Sequence, residues 1–174
     1  RCARETAPDL ILISGQSGLR NPSGPGGAEI ILSGGARGVI LQHAAGRDHY
    51  KDVESVHWPL ADPRDDLALV QLLGAQVLAV TLHTGALRAG PGREGGLARA
   101  ALGDSRRPRS APFTSRPGGA GHEEEGGKEG EAARAEAERL KKELGVPVVL
   151  SLEEGVEALV PLVREFVAAE DARR

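Results

Sequence analysis

The chain contains no methionine, a single cysteine (Cys2), and only four aromatic residues among 174: one Trp, one Tyr and two Phe. Each shortage excludes something. One thiol makes neither an internal disulfide nor a multi-thiolate metal centre, and it leaves a cytosolic setting as the expectation. So few aromatic faces rule out the stacking platforms that grip single-stranded nucleic acid. A net charge of −3 gives no pull toward nucleic acid or an anionic membrane surface. No apolar run is long enough to cross a bilayer, and there is no signal-peptide pattern. A complete natural chain starts with Met, whereas this one starts Arg1-Cys2-Ala3-Arg4, which reads as a piece truncated or processed at its N-terminus.

What is present alternates. Residues 1–8 read as the tail of a helix stopped at Pro8. Asp9–Ile13 is a short continuous apolar run, typical of a strand covered on both faces, with a buried helical turn as the alternative. A Gly/Ser/Pro/Asn loop follows over 14–25. A short helix begins at Gly26-Gly27 and ends at Gly34-Gly35. Arg37–Gln42 is a second strand. Asp62 before Pro63 is a good helix start, and that helix stops at Gly74. Gln76–Leu82 is a third strand. Residues 88–130 are rich in Gly, Pro, Arg and Ala and read as a disordered insertion, with Glu123-Glu124-Glu125 a solvated charge run. Order resumes at Glu131, where Ala133, Ala137, Leu140 and Leu144 make a helical stripe ending at Gly145. Val146–Leu150 is a fourth strand. Ser151 and Glu154 read as a capping box for a last helix, with a kink or restart at Pro161.

This order implies an α/β fold: a parallel sheet of about four strands flanked by helices. Residues 1–87 form its first part, 88–130 the insertion, and 131–174 the second part of the same domain.

Three of these strands end in polar groups. The first runs into Ser14-Gly15-Gln16-Ser17-Gly18, the second into Gln42-His43, the third into His83-Thr84. If they lie parallel and adjacent, Gln16, His43 and His83 meet along one rim, where open α/β sheets bind ligands. Backbone N–H groups of the first loop and the Gln16 amide would hold a phosphate, a carboxylate or an acyl oxygen; the alternative is an ordinary strand-to-helix turn. His43 is placed for acid–base work and Arg47 for clamping an anion, against a half-buried hydrogen-bonded imidazole and a solvated guanidinium. His49 and His57 read as bland loop residues. His43, His49 and His83 match no compact metal motif, so no metal is expected. The phosphate loop Gly-x-x-x-x-Gly-Lys-Ser/Thr is absent, and Arg20 does not replace it. Gly15-Gln16-Ser17-Gly18-Leu19 lacks the second glycine of a nucleophile elbow. Glu29 is most simply a charge complementing the dipole of its short helix.

These residues carry a family resemblance. Ser14-Gly15-Gln16-Ser17-Gly18-Leu19, Asn21-Pro22, Pro25-Gly26-Gly27-Ala28-Glu29-Ile30-Ile31 and Leu41-Gln42-His43-Ala44-Ala45-Gly46-Arg47 resemble, in order, the C-terminal region of domain of unknown function 1611. Glu143–Val148 and Gly155–Val160 extend the likeness. That family includes the DgcN-type D-glutamate N-acetyltransferases. The resemblance implies a P-loop NTPase-like three-layer fold, here partial. It implies acetyl-CoA as co-substrate, with ATP and Mg²⁺ entering only if an upstream domain with a Gly-Lys loop is present. It also implies a small-molecule amino-acid substrate, and it leaves a homo-oligomer open. Gln16, Ser17, Asn21, Gly26, Gly27 and His83 would bind, and His43 and Arg47 would act. Three positions depart from the family: Ser14 stands for an acidic residue, Asn21 for His, and His83-Thr84 for an Asn/His pair. The rival expectations are an ATP-dependent P-loop-type kinase or ligase fragment and a non-catalytic binding or assembly domain; the fragment alone is a candidate for inactivity.

Overall fold

The runs richest in Val, Ile and Leu form the sheet. In the computed structural model, which describes residues 5–15, 18–50, 57–85, 87 and 123–173 (side chains in the last stretch from Gly130), β1 (Gly38–Ala44) pairs in parallel with β2 (Gln76–His83). On the far side of β2 lies a short parallel strand, β3 (Val148–Val149), so the order is β1-β2-β3. Apolar runs of this kind suit strands covered on both faces.

One irregularity decides where side chains point. The register runs Gly38↔Gln76 and Val39↔Val77, then resumes at Ile40↔Ala79. Leu78 is therefore an extra residue, and the bulge re-aims everything after it. Val77, Val80 and Leu82 join one core cluster, with Ile31, Val70, Ala133, Ala137 and Leu140. Ala79 joins the other, with Val149 and Leu159.

Those clusters are capped by helices on both faces. α1 (Gly26–Gly34), α2 (Pro63–Leu72) and α3 (Glu123–Leu144) supply the first cluster, and α4 (Leu159–Asp171) the second. α1 ends because Gly35 takes a left-handed conformation at φ 60°, which lets Ala36 N–H reach back to Ile31 O at 3.0 Å. α2 starts where expected: Asp62 Oδ1 accepts from Arg64 N–H at 2.8 Å and Pro63 opens the first turn. Asp62→Ala should therefore lower stability by about 1 kcal/mol and Asp62→Asn by much less, read from urea midpoints. The Arg64 guanidinium pulls the Asp62 carboxyl down to about 2.

The structure corrects four expectations. Residue 9 is a bend and residues 10–15 join no strand, so the described sheet has three strands rather than about four, and β1 is an edge of it. Leu10, Ile11, Leu12 and Ile13 are exposed, Leu12 at 80%. An apolar run signals a preference for contact and does not name the partner. Here the contacts are with α1: a Cβ on Gly34 would lie 2.7 Å from Ile13 Cδ1, and one on Gly15 would strike Ile30 Cδ1. Second, order begins earlier than Glu131. α3 already starts at Glu123, so 123–130 belong to the helix rather than to an insertion, while residues 88–122 lie outside the described residues. Third, the fourth strand shrinks to two residues, β3. Fourth, Ser151–Glu154 form a turn, with Glu153 and Glu154 N–H both bonded to Leu150 O, so they cap no helix. α4 starts later, at Leu159, with Pro161 in its first turn, where a missing N–H costs nothing. No helix among the described residues is long and apolar enough to cross a membrane.

Candidate functional site

Parallel pairing puts the ends of β1 and β2 at one edge of the sheet. His43 is paired with Leu82 and Ala44 with His83. Paired residues point to the same face, so His43 shares the face of Leu82, the one covered by α2 and α3. His83 points to the other. The two histidines share an end of the sheet but not a face, which corrects the expectation that they meet. A Cβ on Gly85 would lie 2.6 Å from His83 Cε1, so the His83 ring folds back over its own chain.

Around His43 the charges come from α2, α3 and the loop before α1. Burial holds the imidazole below its ordinary value; Asp66, Glu136 and Asp62 pull it up, and Arg139 pushes it down. Burial wins, so His43 is neutral at physiological pH and available as a base. Beside it, Arg20 Nε donates to Asp66 Oδ1 at 2.8 Å, Nη1 to Asp65 Oδ2 at 3.3 Å and Nη2 to Asp62 O at 3.1 Å. Asp66 is only 16% exposed, and burial raises its carboxyl against the opposing pull of Arg20. Arg20→Ala would leave Asp66 without its cation. We expect a loss of about 1–2 kcal/mol, discounted because Arg20 is partly solvated, visible as a lower urea midpoint.

Tyr50 closes this side. It is buried, and burial pushes its phenol up, while a hydrogen bond with the backbone of Ala61 opposes the shift. A Cβ on Gly18 would touch its ring at 3.5 Å. On the far side of the edge, Thr84 is fully buried and donates to Glu153 Oε1 at 2.5 Å.

The other expected site residues are distributed as follows. Gln16 and Ser17 lie outside the described residues. Asn21 builds its own loop: its Oδ1 accepts from Ser23 N–H at 2.9 Å and from Ser23 Oγ at 2.8 Å. Gly26 and Gly27 form the first turn of α1, where a Cβ on Gly27 would sit 3.3 Å from Leu19 N. Arg47 is half-buried in the turn after β1, its N–H donating to Ala44 O at 3.3 Å. Arg20, Asp66 and Tyr50 were not legible as site residues. Arg20 and Asp66 are 46 positions apart and carry no local pattern.

Three guanidinium groups near this edge are engaged by carboxylates. Arg20 is paired with Asp65 and Asp66, Arg64 with Asp62, and Arg139 with Glu136 and Glu143. The N-terminus of α2 is filled by Asp62, Asp65 and Asp66. α1 has no side-chain cap but carries Glu29 in its first turn. No buried side-chain polar atom among the described residues lacks a partner, so none is aimed at an absent anion. Two open grooves of about 270 and 360 Å³ lie at the opposite end of the sheet, around Gln76, Phe166 and Arg173, away from His43.

The family profile described as "Domain of unknown function (DUF1611_C) P-loop domain" matches residues 1–94, just over half of the chain. No curated protein and no solved structure matches. The parallel sheet flanked by helices is consistent with that profile, and the chain belongs to the domain of unknown function 1611 family, through its C-terminal P-loop domain.

Proposed function

We propose that the chain is the C-terminal domain of an acetyl-CoA-dependent N-acetyltransferase acting on a D-amino acid such as D-glutamate, and that the edge at His43 receives the substrate's amino group. The observation that carries this is His43 itself, half-buried at the end of β1 on the face covered by α2 and α3, with burial holding its imidazole down and the charges of Asp66, Glu136 and Asp62 opposing that. A negative field draws in an ammonium group, and a neutral imidazole accepts its proton, leaving an amine able to attack an acyl carbon. Arg47, in the turn just beyond, would hold the substrate's carboxylate.

The test is direct. The whole protein carrying this chain is incubated with acetyl-CoA and D-glutamate, and N-acetylated product is followed by mass spectrometry. Product that disappears in His43→Asn supports the reading; absence of product from the intact protein ends it. The family's P-loop description favours one other reading, a nucleotide-dependent kinase or ligase. In that case ATP with Mg²⁺ raises the melting temperature and acetyl-CoA does not.

A further inference from the structure

Two histidines that the His43 edge does not use stand together on the arm between β1 and α2. The arm is a narrow antiparallel pairing: His49 bridges Pro59, Tyr50 N–H donates to Trp58 O at 3.0 Å, and Leu60 N–H to Asp48 O at 2.8 Å. With His49 opposite Pro59, His57 is its diagonal neighbour on the same face, within reach of a ring. The two imidazole centroids are 5.4 Å apart at 70°. His57 holds this place with φ 47°, in the left-handed region that His, like Asn and Asp, enters more readily than other side chains. His57 is exposed and His49 half-buried, so a hydrated ion can reach both.

We propose that His49 and His57 bind one divalent transition-metal ion, with water completing its coordination. Imidazole nitrogen suits Zn²⁺, Ni²⁺ and Cu²⁺, and is a poor ligand for Mg²⁺ or Ca²⁺. The arm's backbone hydrogen bonds hold the two positions within reach of each other, and the rings, which meet edge to face, turn to bring one nitrogen of each to the ion. The bound ion ties position 49 to position 57 across the arm. It thereby fixes Tyr50, which stands next to Gly18 at the His43 edge. The site is independent of the acetyltransferase reading.

The experiment uses the full chain carrying Cys2→Ser, which removes the competing thiol, titrated with ZnCl₂ at pH 7.5 by calorimetry and by NMR of the histidine rings. We expect one ion per chain. The ring signals of His49 and His57 should move, and those of His43, His83 and His122 should not. His57→Asn, which tolerates the left-handed backbone, and His49→Gln should each weaken binding at least about tenfold. His57→Phe keeps a ring in contact but should lose the ion. Cu²⁺ should bind more tightly than Zn²⁺. No binding, ring shifts at the other histidines instead, or affinity unchanged in the His49→Gln/His57→Asn double variant would each overturn the site. The wild-type ring shifts decide the matter even if a variant folds poorly.

Discussion

Leu82→Ala is expected to lower the free energy of unfolding by about 2–5 kcal/mol, the largest stability effect of any single truncation at this edge. Leu82 is fully buried in the strand that has neighbours on both sides. It belongs to the cluster that joins Val70 of α2 and Leu140 of α3, so its side chain fills the junction between sheet and helices. A central strand cannot move to close the cavity without breaking pairing with β1 or β3, so relaxation is limited and the cavity cost is retained. Urea unfolding should show a lower midpoint with little change in slope. Leu72→Ala is the control: Leu72 is 84% exposed, and the change should stay within about 0.5 kcal/mol. Equal effects at the two positions would mean that the cluster at Leu82 is not the packed core described above.

What was legible in the sequence was whatever has a local cause. The Asp62-Pro63 start and the glycine stop of α1 each rest on neighbouring residues, and each recurs in the structure. The runs around Ile40 and Val80 became strands because they found each other: they pair in parallel, and only β2 is buried, while Ile40 on β1 stays exposed. The run at Leu10–Ile13 looks the same and did not, because pairing depends on which surface is close by, and α1 is the surface it meets. The bulge at Leu78 was invisible too. It arises from the match between two strands far apart in sequence, and it fixes which way β2's later side chains point relative to Val77. His43 and His83 were expected on one rim, and they do share an end; but the one-residue offset in their pairing sends them to opposite faces. Arg20 with Asp66 and Tyr50 with Ala61 are likewise tertiary facts. Asp65-Asp66 reads locally as no more than a first-turn charge that complements a helix dipole.

Titration of His43 should give a midpoint below 6.5, and Asp66→Asn should move it lower still. The first expectation follows from burial, which penalises the imidazolium more than the surrounding carboxylates stabilise it. The second follows because Asp66 is one of the groups pulling the value up, and its removal withdraws that support. Histidine ring shifts followed by NMR check both without any need for activity. The same displacement makes stability depend on pH. In the unfolded chain His43 takes up its proton near pH 6.5; in the folded one it resists. Its contribution is thus fully present above 6.5 and is lost as pH falls through the folded value, and His43→Asn should flatten the stability curve in that window. If the whole protein acylates amines, the same substitution should cost about 10²–10⁴ in kcat/KM, the usual worth of a positioned base. The acid limb of the wild-type profile should then coincide with the NMR midpoint. A midpoint above 6.5 would mean that Asp66, Glu136 and Asp62 outweigh burial. His43 would then be cationic near neutrality, unable to take a proton from an ammonium group, and the acyl-transfer reading would lose its base while the family assignment stood untouched.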